Sequence, residues 1–147
     1  MDADSVIRLR RVVLGLARRL NAASAGEGLT PAQASVLAVV VYRGPLGLTE
    51  LSEIEGLNPT MLSRIVGNLS SLGLVDRQRD PADYRAIRVG ITADGEAIWQ
   101  RISADRTEVI SECVTYLPAE QETALTAALP ALEDLSERLR VTLQSKR

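Results

Sequence analysis

Residues 49–92 read TELSEIEGLNPTMLSRIVGNLSSLGLVDRQRDPADYRAIRVGIT, and the punctuation of this stretch decides the fold. Thr49 is placed to cap a short helix containing Leu51, Ser52 and Ile54. Gly56 breaks it, at a point where the chain needs a conformation most side chains resist. Asn58-Pro59 opens a second helix with a polar cap and a proline at the first helical position. On a wheel of ~100° per residue, Leu62, Ile65, Val66, Leu69 and Leu72 gather on one side of that helix. Leu72-Gly73-Leu74 closes it. Val75 to Arg79 and Ala86 to Thr92 are short strand-like runs around the loop Asp80-Pro81-Ala82-Asp83-Tyr84-Arg85. In the second run Ile87, Val89 and Ile91 alternate with Arg88 and Gly90, the period-two pattern of a half-buried strand. Ser52 is small where two helices cross, Leu57 is suited to fill the turn, and Leu51, Leu62 and Ile65 supply the contacts that fix the pair. The expected unit is a helix, a tight turn, a second helix and a hairpin.

Working outward, Ser5 to about Ala23 carries Val6, Ile7, Leu9, Val12, Val13, Leu16 and Leu20 at helical spacing. That stripe is wide for a surface helix and calls for a large partner, a second subunit among the options. Ala25-Gly26-Glu27-Gly28 is expected to end it. Thr30-Pro31-Ala32-Gln33 then starts a helix that runs through Val36, Leu37, Val39, Val40 and Val41 and must stop at Gly44-Pro45. Downstream, Thr92 caps a long helix from about Ala93 to Tyr116. Pro118 begins a last helical region with Leu125, Leu129, Leu132, Leu135 and Leu139, in which Pro130 is expected to force a kink or a split.

Composition narrows the function classes. A chain of 147 residues suits one domain, and 46% apolar content with no Phe, one Trp and three Tyr favours helices packed on helices. No apolar run approaches the ~20 residues that span a membrane. The acidic opening Met1-Asp2-Ala3-Asp4-Ser5 lacks the features of a secretory signal, so a soluble cytoplasmic protein is expected. With no histidine and a single cysteine, Cys113, there is no internal disulfide, no multi-cysteine zinc site and no Ser-His-Asp or Cys-His chemistry within one chain. No paired-acid or Gly-rich phosphate motif stands out. Neither an enzyme nor a bound cofactor or metal is expected. The net charge of −2 argues against a general nucleic-acid coat, but its distribution is uneven. From Arg64 to Arg88 there are five arginines and three aspartates, whereas from Asp94 onward ten acids face six bases. Such asymmetry suits one DNA-facing end and one end facing solvent or a partner.

The second helix of the opening stretch carries the sharper signal. Thr60, Ser63, Gly67 and Ser71 lie opposite its apolar side, flanked by Arg64 and Asn68, and no acid occurs from Gly56 through Val75. A small, donor-rich, acid-free face can approach base edges and phosphates closely. Arg64 suits a bidentate contact to guanine and Asn68 a contact to adenine or a phosphate. A solvated face of an amphipathic helix would carry similar residues, so the hairpin decides. Arg77, Arg79, Arg85 and Arg88 converge there, and Asp83, two residues before Arg85, is placed to hold its guanidinium in one orientation. A narrow minor groove is the natural receptor for such an arginine; an isolated surface ion pair worth ~0–1 kcal/mol is the plainer alternative.

These residues resemble a known family. Arg79-Asp80-Pro81-Ala82-Asp83-Tyr84-Arg85, followed by Val89-Gly90-Ile91-Thr92-Ala93-Asp94-Gly95, is similar to the wing signature of MarR-type winged-helix regulators, with Ile91 in place of the usual Leu. The resemblance implies a mainly α fold with a small β-hairpin wing, as a single regulator domain over residues 1–147. Within it, a winged helix-turn-helix DNA-binding lobe spans 30–92 and a helical dimerisation region spans 1–29 and 93–147. It places Pro59, Thr60, Ser63, Arg64 and Asn68 on the recognition helix and matches Asp83 and Arg85 to the wing's oriented arginine. It implies a homodimer on a pseudo-palindromic operator in double-stranded DNA, with half-sites ~10 bp apart. The expected activity is transcriptional regulation, commonly repression by blocking a promoter. Release by a phenolic or lipophilic small molecule is common in the family, and Tyr42, Arg43 and Trp99 are the candidate ligand residues here. Cys113, on an apolar face with Ile110 and Val114, is expected to be buried and inert. Alternatives are a ligand-independent or redox-responsive regulator, or a protein-interaction module on the same fold. The last would carry acids on the recognition face or lack the wing arginine.

Overall fold

In the computed structural model, which describes residues 1–23 and 27–145, every expected helix forms, all but one close to its expected start. Helix α1 spans Ala3–Ala23; the expected break at Ala25-Gly26 lies outside the described residues. Helix α2, Pro31–Arg43, starts on a full capping box: the Thr30 hydroxyl accepts from the Gln33 N–H, and the Gln33 side chain accepts from the Thr30 N–H. A two-residue strand β1, Leu46–Gly47, follows, then α3, Leu48–Glu55, and α4, Pro59–Ser71. Strands β2, Val75–Arg79, and β3, Ile87–Ile91, lead into α5, Ala93–Thr115, and α6, Ala119–Ser145.

The helix pair is joined as its residues require. Gly56 takes the left-handed conformation (φ 67°) that ends α3. The Ser52 hydroxyl donates to the Leu57 carbonyl at 2.6 Å, tying the turn shut. Asn58 caps α4 through its side-chain oxygen, which accepts from the Met61 N–H. One expectation is corrected: Thr49 does not cap α3. The helix begins two residues earlier, behind Gly47, and makes no side-chain cap bond. The reason is β1, whose pairing with β3 holds Leu46 and Gly47 extended and so sets where the helix starts.

Short range alone does not reveal that third strand. The sheet order is β1-β3-β2, antiparallel throughout, with Leu46, Val89 and Arg77 in one cross-strand row. Strand β3 is therefore central, one residue shorter at each end than the expected Ala86–Thr92 run. Its alternation holds at Val89, which is fully buried, but Ile87 is exposed beyond the core. Gly90 is buried because the Asp76 and Gln78 side chains of β2 lie across it; a Cβ there would sit 2.8 Å from Asp76 Oδ1.

The core runs from Leu29 to Ile102, with Leu37, Leu51, Leu62, Val66 and Leu69 sealed inside it. Each buried aliphatic side chain contributes roughly 1.5–3 kcal/mol. Thr92 joins this lobe to α5: its hydroxyl donates to the Gly73 carbonyl and accepts from the Gly95 N–H. Gly95 is required at that joint, since a Cβ would stand 2.0 Å from the Leu74 carbonyl oxygen. Beyond Ile102, α5 leaves the core. There Val109 and Ile110 are exposed, and Cys113 is exposed with them, contrary to the buried thiol expected. Among the described residues, the hydrophobic core does not reach that face. Helix α6 continues through Pro130 unsplit. That residue is exposed, and its missing N–H costs one bond on the solvent side rather than in a packed interior.

Candidate nucleic-acid interface

Helix α4 separates as its wheel predicts except at Leu72, which caps the helix end and is exposed rather than buried. Leu62, Ile65, Val66 and Leu69 are buried, while Pro59, Thr60, Ser63, Arg64, Asn68 and Ser71 are exposed. Gly67 sits on the same outer face, with nothing within 4 Å of where a Cβ would stand. The α4 face is thus shallow at its middle and acid-free along its length. Arg64, Arg77, Arg79 and Arg85 are all exposed, and among the described residues none has an ion pair or side-chain hydrogen bond.

Strand parity sorts the hairpin arginines. Arg77 and Arg79 share a strand face with Val75, since residues two apart point the same way. Asp76 pairs with Gly90 and Gln78 with Arg88, placing Arg88 on the opposite face. There Arg88 is engaged within the chain. Its Nη2 donates to the Pro45 carbonyl at 2.7 Å, and its Nε lies 3.9 Å from Asp80 Oδ2. It braces the hairpin against the segment before β1, unlike the open arginines.

The loop is held by its aspartates through the backbone. Asp80 Oδ1 accepts from the Ala82 N–H, and Asp83 Oδ1 accepts from the Arg85 N–H at 3.0 Å. The expected grip of Asp83 on the Arg85 guanidinium is therefore corrected. Two residues apart across a turn, the carboxylate reaches the near amide before the far end of a long side chain, forming an Asx turn. Asp83 fixes where Arg85 leaves the loop and leaves its guanidinium open. Tyr84, beside it, is 76% exposed.

On the other side of the lobe, Tyr42 and Trp99 meet edge to face, with ring centroids 5.8 Å apart, and Trp99 Nε1 donates to the Tyr42 hydroxyl at 3.3 Å. The Arg106 guanidinium lies 5.5 Å from the centroid of the Trp99 ring. A cavity of about 250 Å³ opens against this pair, lined by Val41, Tyr42, Glu96, Trp99, Gln100 and Ser103. Tyr42 and Trp99 come together as expected; Arg43 is exposed and does not line the cavity. The hydrogen bond and Arg106 were not legible in the sequence, because 57 residues separate the ring partners.

A helix pair with an open, acid-free second helix, joined to a three-stranded sheet whose hairpin loop bears an arginine, defines a winged helix-turn-helix protein. Residues 29–87 match the family model described as MarR family. The HTH-type transcriptional repressor MdtR of Bacillus subtilis is 26% identical over 115 residues, covering 76% of this chain and 74% of that protein. Among solved structures, a MarR family protein from Bacillus stearothermophilus superposes with a TM-score of 0.78 at 22% identity, covering 93% of this chain and 99% of that one. Wild-type MarR from E. coli superposes at 0.74 and 23% identity, covering 90% and 97%. Residues 29–87 are thus similar to the MarR family, and the solved neighbours share the winged-helix fold of the whole chain. Among the described residues no helix is long and apolar enough to cross a membrane, and no group of acids and cysteine is arranged to hold a metal.

Proposed function

We propose that this protein is a homodimeric, sequence-specific repressor that acts in the cytoplasm on a pseudo-palindromic operator and is released by a small aromatic or lipophilic ligand. The carrying observation is the set of four open arginines, Arg64, Arg77, Arg79 and Arg85, around an α4 face without a single acid. Helix α4 is suited to the major groove, with Pro59, Thr60, Ser63, Arg64 and Asn68 toward the DNA. The wing is suited to the adjacent minor groove, led by Arg85. Arg77 and Arg79 serve the phosphates, while Asp83 and Arg88 set the shape of the wing. The reading assigns residues 30–92 to the DNA-binding lobe and residues 1–29 and 93–147 to dimerisation.

Exposed apolar surface supports the pairing. The chain exposes 10,392 Å², against about 7,300 Å² expected for a folded monomer of this mass. The excess lies on α1, the outer half of α5, and α6, where Val12, Leu16, Ile110, Leu129 and Leu139 are each about half exposed. A groove of about 420 Å³ around Gly15 is walled by α1 alone, the shape of half a helix seam. Charge fits as well: α1 carries Arg8, Arg10, Arg11, Arg18 and Arg19, whereas α6 carries Glu120, Glu122, Glu133, Asp134 and Glu137. The repressing sign rests on the named activity of MdtR. The ligand reading rests on the Tyr42–Trp99 cavity, which a second subunit would enlarge toward the ~300–1,000 Å³ of small-molecule sites.

A mobility-shift assay on the gene's own upstream region tests the reading. Arg85→Ala should fold normally, since no described residue holds that guanidinium, yet lose about 1–3 kcal/mol of binding free energy. Binding by this variant at wild-type affinity would sink the wing assignment.

A further inference from the structure

The recognition helix carries one side chain that does not belong on a solvated face. Met61 is 50% exposed in the first turn of α4, the large apolar exception among its outward residues. It is absent from the core and from the half-buried side chains packed against it. Arg64 and Asn68, three and seven residues further on, are polar and open, so on the wheel Met61 stands at the border between the apolar side and the arginine-bearing side. Leaving this much apolar surface in water contributes nothing to the fold. The N-terminal residues of a recognition helix are the ones that meet base edges, and the apolar feature of the major groove is the thymine 5-methyl group. A thioether chain, unbranched and polarisable, adapts well to a flat methyl-bearing edge.

We propose that Met61 is a specificity-determining residue that packs on the methyl group of a thymine in each half-site, next to the base read by Arg64. The proposal rests on the DNA-binding reading above and goes beyond it by naming the base and the atom recognised. Met61 carries no charge and touches no phosphate, so its contribution is to sequence preference and not to the salt dependence of binding.

The probe is the duplex that the wild-type protein recovers from a random-sequence pool, with copies in which each thymine in turn is replaced by deoxyuridine, removing the methyl group alone. At one thymine of each half-site the change should weaken wild-type binding about fourfold, the equivalent of one buried methyl-sized group. Met61→Ala should bind the parent duplex correspondingly more weakly, show no response to that deoxyuridine, and keep the wild-type salt slope. Met61→Leu, which restores an apolar chain, should keep the response. Equal binding of every deoxyuridine copy by the wild-type protein overturns the proposal, as does an undiminished response in Met61→Ala. Recovery of no duplex above background would instead overturn the DNA-binding reading itself.

Discussion

Asp83 and Arg88 both depart from the roles that their spacing suggests. Asp83 looks like the anchor of an arginine and turns out to shape the loop backbone; Arg88 looks like a DNA contact and braces the wing through Pro45. Both residue types were legible, but the partner was not, because reach across a turn depends on the path of the chain. Glu55 shows the same dependence. Partial burial at the end of α3 raises its carboxyl above the usual range, only partly offset by the Ser35 hydroxyl that donates to it. A raised folded value means that the folded state holds the proton to higher pH than the unfolded chain does. Stability therefore falls as pH rises from about 4.3 through the folded value. Glu55→Gln keeps an acceptor for Ser35 and removes the charge. Thermal unfolding should find the variant equal to wild type near pH 3.5 and more stable at pH 7, with a gap opening between. A constant gap at both pH values would refute this account of Glu55.

At the scale of elements, the helices follow from caps and periodicity because those signals are local. Thr30, Asn58 and Thr92 each act as written in the sequence. Strand β1 breaks that rule: two residues carry no period, and only pairing with β3 makes Leu46–Gly47 a strand and displaces Thr49 from its cap. Two glycines, Gly95 at the joint with α5 and Gly67 on α4, separate fold from function in a way that sequence does not. Gly95 is forced by the Leu74 carbonyl, whereas Gly67 has open space around it and no internal reason to be glycine. Alanine at position 67 should therefore raise helix stability by about 0.8–1 kcal/mol, measured by denaturant unfolding. The same Cβ faces the proposed DNA surface, so mobility shifts should show weaker binding by this more stable protein. A Gly67→Ala variant that gains stability and loses no affinity would show that α4 does not approach DNA at its middle.

For the whole molecule, the decisive feature is surface left over. Helix α1 and the outer parts of α5 and α6 cannot bury their apolar faces against one lobe, and this is why Cys113 is exposed in the single chain. If a second copy supplies the missing partner, folding of the arms is linked to association. The melting temperature should then rise as protein concentration is raised over about two decades. Leu16→Glu, which puts charge in the α1 groove, should yield a smaller species in sedimentation while leaving the lobe's helical signal in place. A concentration-independent melt together with a monomeric sedimentation coefficient for the wild type would overturn the homodimer.

What the amino-acid order determined by itself was local and periodic: the caps at Thr30, Asn58 and Thr92, the Gly56 turn, the acid-free face of α4, the hairpin and its arginines. Such features depend on hydrogen bonds and side-chain faces within a few residues, so they are visible in one dimension. Only the tertiary structure decided which arginines stay open, that β1 completes the sheet, that Arg106 lies over Trp99, and that Met61 faces outward without a partner. Those outcomes depend on which distant segments come within a few ångströms, and that is set by how the core closes rather than by any run of neighbouring residues.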